Sequence, residues 1–263
     1  VTRIAVFGLG SIGQRHVKNL LEMGETDLLG CDVRTGDEGF APDLPIPITS
    51  AASMVWDWKP DVVLVCVPPV GHYALANRAI KAGAHVFIEK PMATTELECE
   101  HLRFQAKEEG VQLAVGYQLL ACPSVQVFPR DWKQLHIWDK QDMGAWPNGT
   151  YSRDLLLDFS HEISQVLFWA GSVPSSVSID RKNPVQCMIH LAWSDGRTAQ
   201  IDLASDFDGY ERGAISDCGS WMFDREENDE AYRTELKMFL AGTPICTGEH
   251  GMSVMQILGM VHE

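Results

Sequence analysis

Two kinds of apolar pattern alternate along the first 120 residues. Near-continuous apolar runs at 3–7, 27–32, 61–67, 85–89 and 112–117 have strand length, and they are rich in Val, Ile and Leu. Between them, at 12–22, 50–57, 72–82 and 94–109, apolar positions recur every three or four residues, as on one face of a helix. Strands that are apolar on both sides of the pleat belong in a parallel sheet covered on both faces. Strand–helix alternation supplies the crossovers that such a sheet needs. Punctuation agrees: Pro68-Pro69 stop the third long run, and Gly83 and Gly110 stand where helix C-terminal caps are expected.

Beyond residue 120 the rhythm changes. A helix is predicted over 156–170, with Phe159, Ile163, Val166 and Leu167 on one stripe and Gly171 at its end. Strand-like segments follow at 175–180, 185–194, 197–204 and 213–224, with Asp195-Gly196 as a hairpin signal. Helices at 230–240 and 250–261 close the chain. Grouped strands followed by grouped helices predict a mostly antiparallel sheet with helices on one face. The expected fold is therefore a doubly wound α/β domain over 1–120 and an α+β domain over 121–263, joined near the Pro-, Asp- and Trp-rich stretch 122–148.

Composition narrows the partners. The 263 residues carry a formal net charge of −15, which disfavours nucleic acid or an anionic membrane as partner. Seven cysteines show neither C-x-x-C nor Cys/His ligand spacing, so no metal site is expected. The thiols read as reduced, which suggests the cytoplasm, and no stretch has the length of a membrane span.

The first strand runs into Gly8-Leu9-Gly10-Ser11-Ile12-Gly13, a G-x-G-x-x-G turn, and Asp32 closes the second strand 19 residues after the last glycine. In this context each glycine has a task. Gly8 permits the tight turn, Gly10 lets backbone amides approach a pyrophosphate, and Gly13 lets the helix pack close to the strand. Ser11 and Ile12 open the helix, whose positive end faces the phosphates. Asp32 is placed to accept the ribose hydroxyls, which favours NAD over NADP, and Arg34 is near enough to leave NADP open.

Further along stand Pro68-Pro69-Val70-Gly71-His72, Glu89-Lys90-Pro91 at the end of the strand-like run 85–89, Gly116-Tyr117, and Asp158-Phe159-Ser160-His161. With the glycine turn, they resemble the Gfo/Idh/MocA oxidoreductases from Val6 to about Tyr117 and again from Leu155 onward. The resemblance implies that Lys90 lies beside nicotinamide and substrate, on a Lys-Pro bond that is commonly cis. It also implies that Asp158 and His161 form the family's Asp/His catalytic pair, and that copies associate through the second-domain sheet. Many members space that pair one residue wider. After Gly116-Tyr117 this chain has Gln118-Leu119-Leu120-Ala121-Cys122-Pro123, where many have Asn and then Arg-Phe-x-Pro, and 123–149 is short.

For the chemistry, Lys90 suits stabilisation of an oxygen with alkoxide character, and His161 suits general acid–base work. Pro68, His72 and Glu89 belong to the expected cofactor cleft, although His72 equally fits packing at a helix start and Glu89 a plain strand-end acid. Tyr117 either reaches substrate or plugs the cleft. Packing is the better reading for His16 and for Trp132, Trp138 and Trp146, and Ser160 and Glu162 read as peripheral. The expected activity is an NAD-dependent dehydrogenase for a secondary alcohol of a sugar, cyclitol or sugar derivative. A non-catalytic dinucleotide-binding regulator, or a reductase of a tetrapyrrole or dihydrodiol, are the alternatives.

Overall fold

A computed structural model of the protein describes residues 2–37, 40, 43–142 and 155–262. Two compact units emerge, Val1–Gly116 with Tyr232–Met252, and Tyr117–Ala231 with Ser253–Glu263.

In the first unit the strands are β1 (Ile4–Phe7), β2 (Leu28–Cys31), β3 (Ile48–Thr49), β4 (Val62–Val65), β5 (His85–Glu89) and β6 (Leu113–Gly116). Their order is β3-β2-β1-β4-β5-β6, and every pairing is parallel. The crossovers are α1 (Ser11–Glu22), α2 (Ala52–Trp58), α3 (His72–Lys81) and α4 (Glu96–Glu109). Strand order reverses at β1, which puts the β1–α1 turn at the crevice where open α/β sheets bind ligands. A capping box starts α4: Thr95 accepts from the Glu98 amide, and the Glu98 carboxylate accepts from the Thr95 amide.

The second unit begins with α5 (Pro123–Gln126) and β7 (Gln134–Asp142). After the short α6 (Leu155–Asp158) and α7 (Ser160–Ala170) come β8 (Ser176–Asn183), β9 (Gln186–Ala192), β10 (Thr198–Ala204), β11 (Asp206–Ser216) and β12 (Gly219–Met222). Its sheet runs β12-β11-β7-β10-β9-β8 and is antiparallel except for β7 with β10. Leu135, Ile137, Ile189, Leu191, Ile201 and Leu203 are buried on one face. Gln134, His136, Ser178, His190 and Gln200 line a shallow groove on the other.

Two expectations change, and one stretch without an expected element gains a strand. The boundary at 120 is not a single cut, because α8 (Arg225–Leu240) and α9 (Gly248–His262) bring the chain back. Leu236 and Phe239 join Ile4, Val6, Val17, Leu20 and Phe87 in the first unit's core, and the Val115 amide donates to the Cys246 carbonyl. The region 122–148 contains β7, a central strand of the second sheet. The helix expected over 156–170 is interrupted at Phe159, between α6 and α7.

Among the described residues, no helix is long and apolar enough to cross a membrane. All seven cysteines are free thiols.

Candidate active site

The β1–α1 turn is shaped by what its glycines leave out. Gly8 has φ +86°, a region that side chains rarely adopt, and a Cβ there would lie 2.6 Å from the Cys66 carbonyl oxygen. A Cβ on Gly13 would lie 1.8 Å from the Gly8 carbonyl oxygen, so only glycine lets α1 start this close to the turn. At Gly10 the space is open: an added Cβ would meet only the Arg34 guanidinium, at 4.0 Å. No side chain caps α1, and no acid lies in its first turn, where Ser11 and Ile12 stand. An uncapped, acid-free helix start above an open glycine suits a pyrophosphate, so these residues fit a dinucleotide.

Asp32 follows β2 and turns its carboxylate toward this turn. The Leu9 amide donates to Oδ2 at 2.8 Å, and the Arg34 amide to Oδ1 at 2.9 Å. The Arg34 guanidinium grips the same carboxylate through Nε at 3.0 Å and Nη2 at 2.8 Å. Burial opposes the charge on Asp32, but these hydrogen bonds outweigh it and hold the carboxyl below its ordinary range. Arg34 also covers the Phe40 ring at 4.2 Å, while its side chain remains half-exposed.

Lys90 is half-buried where the chain leaves β5 at the sheet's C-terminal edge, and the Lys90–Pro91 bond is cis. His72, at the start of α3, braces this bend from beneath. Its Nδ1 lies 2.7 Å from the Pro91 carbonyl and its Nε2 2.7 Å from the Val67 carbonyl. With the side chain almost wholly buried and both ring nitrogens on backbone oxygens, His72 packs the helix start and offers no nitrogen to a cofactor. Pro68 is exposed just before the 3₁₀ turn Pro69–Gly71. Glu89 directs its carboxylate away from solvent to the His16 ring, Oε1 to Nε2 at 2.6 Å.

In the second unit, His161 lies in the first turn of α7, and Tyr117 meets it edge to face, centroids 5.5 Å apart and planes at 86°. Both side chains are buried. Asp158 ends α6, and Phe159 rather than Asp158 occupies the position before α7.

The next residue, Glu162, is wholly buried rather than peripheral. Arg212 donates to Glu162 Oε1 from Nε at 2.8 Å and also from Nη2, and its Nε lies 3.3 Å from Asp139. Burial works against the Arg212 charge, yet the two carboxylates more than restore it and raise its pKa. Sequence reasoning missed this cluster. The available signal was Glu162 inside the apolar stripe of α7, since a buried charge demands a partner. Ser160 is buried too. Trp132 packs in the second unit's interior, edge-on to Trp193 at 5.6 Å, whereas Trp138 stands on β7 and Trp146 lies outside the described residues.

Fold and turn together define the first unit as a dinucleotide-binding α/β domain. Residues 2–117 match the family described as oxidoreductases with an NAD-binding Rossmann fold. This part of the chain is therefore similar to the NAD-binding domain of the Gfo/Idh/MocA oxidoreductases. Over 125 residues, 44% of the chain, it is 31% identical to D-glucoside 3-dehydrogenase of Escherichia coli, covering 34% of that protein. Over 120 residues, also 44% of the chain, it is 30% identical to scyllo-inositol 2-dehydrogenase (NAD(+)) of Bacillus subtilis, covering 35%. The matched stretches thus span about a third of these relatives' lengths. The fold likeness extends further. UDP-N-acetylglucosamine 3-dehydrogenase GnnA of Acidithiobacillus ferrooxidans superposes with TM-score 0.82 at 18% identity, over 99% of this chain and 96% of that one. The WlbA dehydrogenase of Thermus thermophilus, solved with NAD and UDP-GlcNAcA, gives 0.83 at 17% identity, over 98% and 93%.

Proposed function

We propose that the protein is an NAD-dependent oxidoreductase moving a hydride between nicotinamide and a secondary alcohol or ketone of a sugar, cyclitol or sugar derivative. The observation that carries this reading is Lys90, held at the C-terminal edge of a parallel sheet whose first turn is an open glycine cradle. The relatives support the substrate class, since the two compared above are named as dehydrogenases of a glucoside and an inositol.

Gly8, Gly10 and Gly13, with the α1 residues Ser11 and Ile12, hold the pyrophosphate, and Asp32 takes the adenosine ribose. For the ribose to reach Asp32, the half-exposed Arg34 guanidinium must give up part of its grip. Held there, NAD would supply the hydride acceptor for oxidation and, reduced, the donor for reduction. The Lys90 ammonium holds the reacting oxygen and stabilises its alkoxide character. His161 accepts the hydroxyl proton in oxidation and returns it in reduction, with Asp158 orienting its ring and Tyr117 confining it. Free thiols at all seven cysteines support a reducing compartment such as the cytoplasm. Copies would associate through the exposed face of the second sheet.

The test is a panel of cyclitols, sugars and UDP-sugars with NAD and with NADP, followed by absorbance of the reduced nicotinamide. Turnover of at least one polyhydroxy substrate with NAD is expected. Tight NADH binding without turnover of any would instead support a dinucleotide-binding regulator.

A further inference from the structure

Behind the Lys90 bend lies a second group of ionisable side chains. Glu89 at the end of β5, His16 on α1 and Glu235 on α8 each offer a ligand or proton-sharing atom, all within 4.8 Å of one another. The group is largely buried: Glu89 is 12% exposed, Glu235 5%, and His16 wholly buried. His16 is wedged edge-on between Phe87 at 5.5 Å and Tyr232 at 5.9 Å. Gly116 makes room for the Glu89 carboxyl, since a Cβ there would come within 3.1 Å of Oε1.

The contact between His16 and Glu89, 2.6 Å, is a hydrogen bond and requires a proton between nitrogen and oxygen. Two ligand atoms on a tetrahedral zinc, each about 2.0 Å from the metal, would stand about 3.3 Å apart. The spacing therefore favours a proton over a metal. Glu235 Oε1 is buried with no hydrogen-bond partner, and a second bare carboxylate beside Glu89 would be very costly there. The other groups facing the pocket do not relieve it. Cys66, half-buried after β4, and Cys246, buried before α9, are thiols whose ionisation burial opposes first and the neighbouring acids next. The Arg15 guanidinium lies 4.8 Å over the Tyr232 ring.

We infer that Glu235 is a neutral carboxylic acid in the folded protein, that it shares this pocket with a proton-bridged His16–Glu89 pair, and that the three act as positioning residues for Lys90. The role in positioning rests on the reading of Lys90 given above; the protonation of Glu235 does not. Burial, and then the charge of Glu89, push the Glu235 carboxyl well above its ordinary value. The sign follows. Above the ordinary carboxylate range the unfolded chain releases this proton and the folded chain keeps it. Stability associated with Glu235 is thus full at acid pH and declines as pH rises toward the folded value.

Four measurements on the whole protein test this. In denaturant unfolding between pH 5 and 8, the wild type should lose up to about tenfold in folding equilibrium per pH unit relative to Glu235→Gln, whose amide cannot ionise. Parallel pH profiles for the two proteins would overturn the inference. If Glu235→Gln fails to fold, infrared spectroscopy of the wild type still decides: the C=O stretch of a protonated carboxyl should persist at pH 8, and its absence overturns the assignment. Zinc chloride should leave the melting temperature unchanged; stabilisation of the wild type but not of Glu235→Gln would make the cluster a metal site instead. For positioning, acetylation of Lys90 by acetic anhydride, read by peptide mass spectrometry, should change severalfold in Glu89→Leu and less than about twofold in Glu235→Gln. An unchanged rate in Glu89→Leu would remove the positioning role. None of these readouts needs turnover, so a failed substrate panel would defeat the dehydrogenase reading separately.

Discussion

Arg212 and Glu162 meet in the interior of the second unit, guanidinium Nε to carboxylate oxygen at 2.8 Å, one residue after His161 in the chain. Asp139 completes the cluster at 3.3 Å from the same nitrogen. β11 and β7 supply Arg212 and Asp139, which are directly paired across the sheet, and α7 supplies Glu162. The cluster therefore ties the helix that carries His161 to the sheet beneath it.

Breaking that tie should cost more than losing one contact. In Arg212→Met two carboxylates remain in a dry interior without their cation, and removing one partner of a buried pair typically costs about 3–5 kcal/mol. Equilibrium urea unfolding should show a loss of that size, together with a change in the environment of His161 visible by NMR. A loss under about 1 kcal/mol would mean that the cluster does not hold the helix.

The glycine turn separates folding from binding. Gly13→Ala places a methyl 1.8 Å from the Gly8 carbonyl oxygen, so the backbone must move and the melting temperature should fall sharply. Gly10→Ala meets nothing closer than 4.0 Å, so it should fold normally and bind NADH at least about tenfold more weakly, because the methyl occupies the approach to the amides. Thermal melts and NADH fluorescence titration check the pair. Equal melting temperatures for the two variants would contradict it.

Asp32 carries a pH signature. Its carboxyl lies below the ordinary value in the folded chain, so its contribution to stability is present above about pH 4 and lost as pH falls through the folded value. Asp32→Asn should cost about 1 kcal/mol at pH 7, discounted because the guanidinium partner is half-exposed, and the difference should shrink by pH 3. Asp32→Ala should also relax the preference for NAD. An NAD-to-NADP ratio equal to that of the wild type would remove the ribose contact.

Much of the first unit was legible in the chain because its signals are local. Apolar runs gave β1, β4 and β5, and the glycines stand where the backbone demands them. The features that escaped depend on distant partners. β7 alternates Leu135 and Ile137 with His136 and Trp138, but Asp139 breaks the pattern at an inward position. The charge that offsets it comes from Arg212, far along the chain. The return of α8 escaped for a similar reason, since its buried Leu236 and Phe239 suit any core, and the first unit's claim on them is visible only in three dimensions. From the sequence Glu89 fits the cofactor cleft and a plain strand-end acid equally well, because its neighbours His16 and Glu235 are distant in the chain.

Lys90→Ala, measured for kcat with whichever polyhydroxy substrate the wild type turns over and for NAD dissociation constant in parallel, bears most directly on the proposed chemistry. Loss of the ammonium that holds the reacting oxygen should lower kcat by at least about a hundredfold while leaving NAD affinity within about threefold. A variant that turns over at the wild-type rate would show that the hydride transfer does not depend on Lys90.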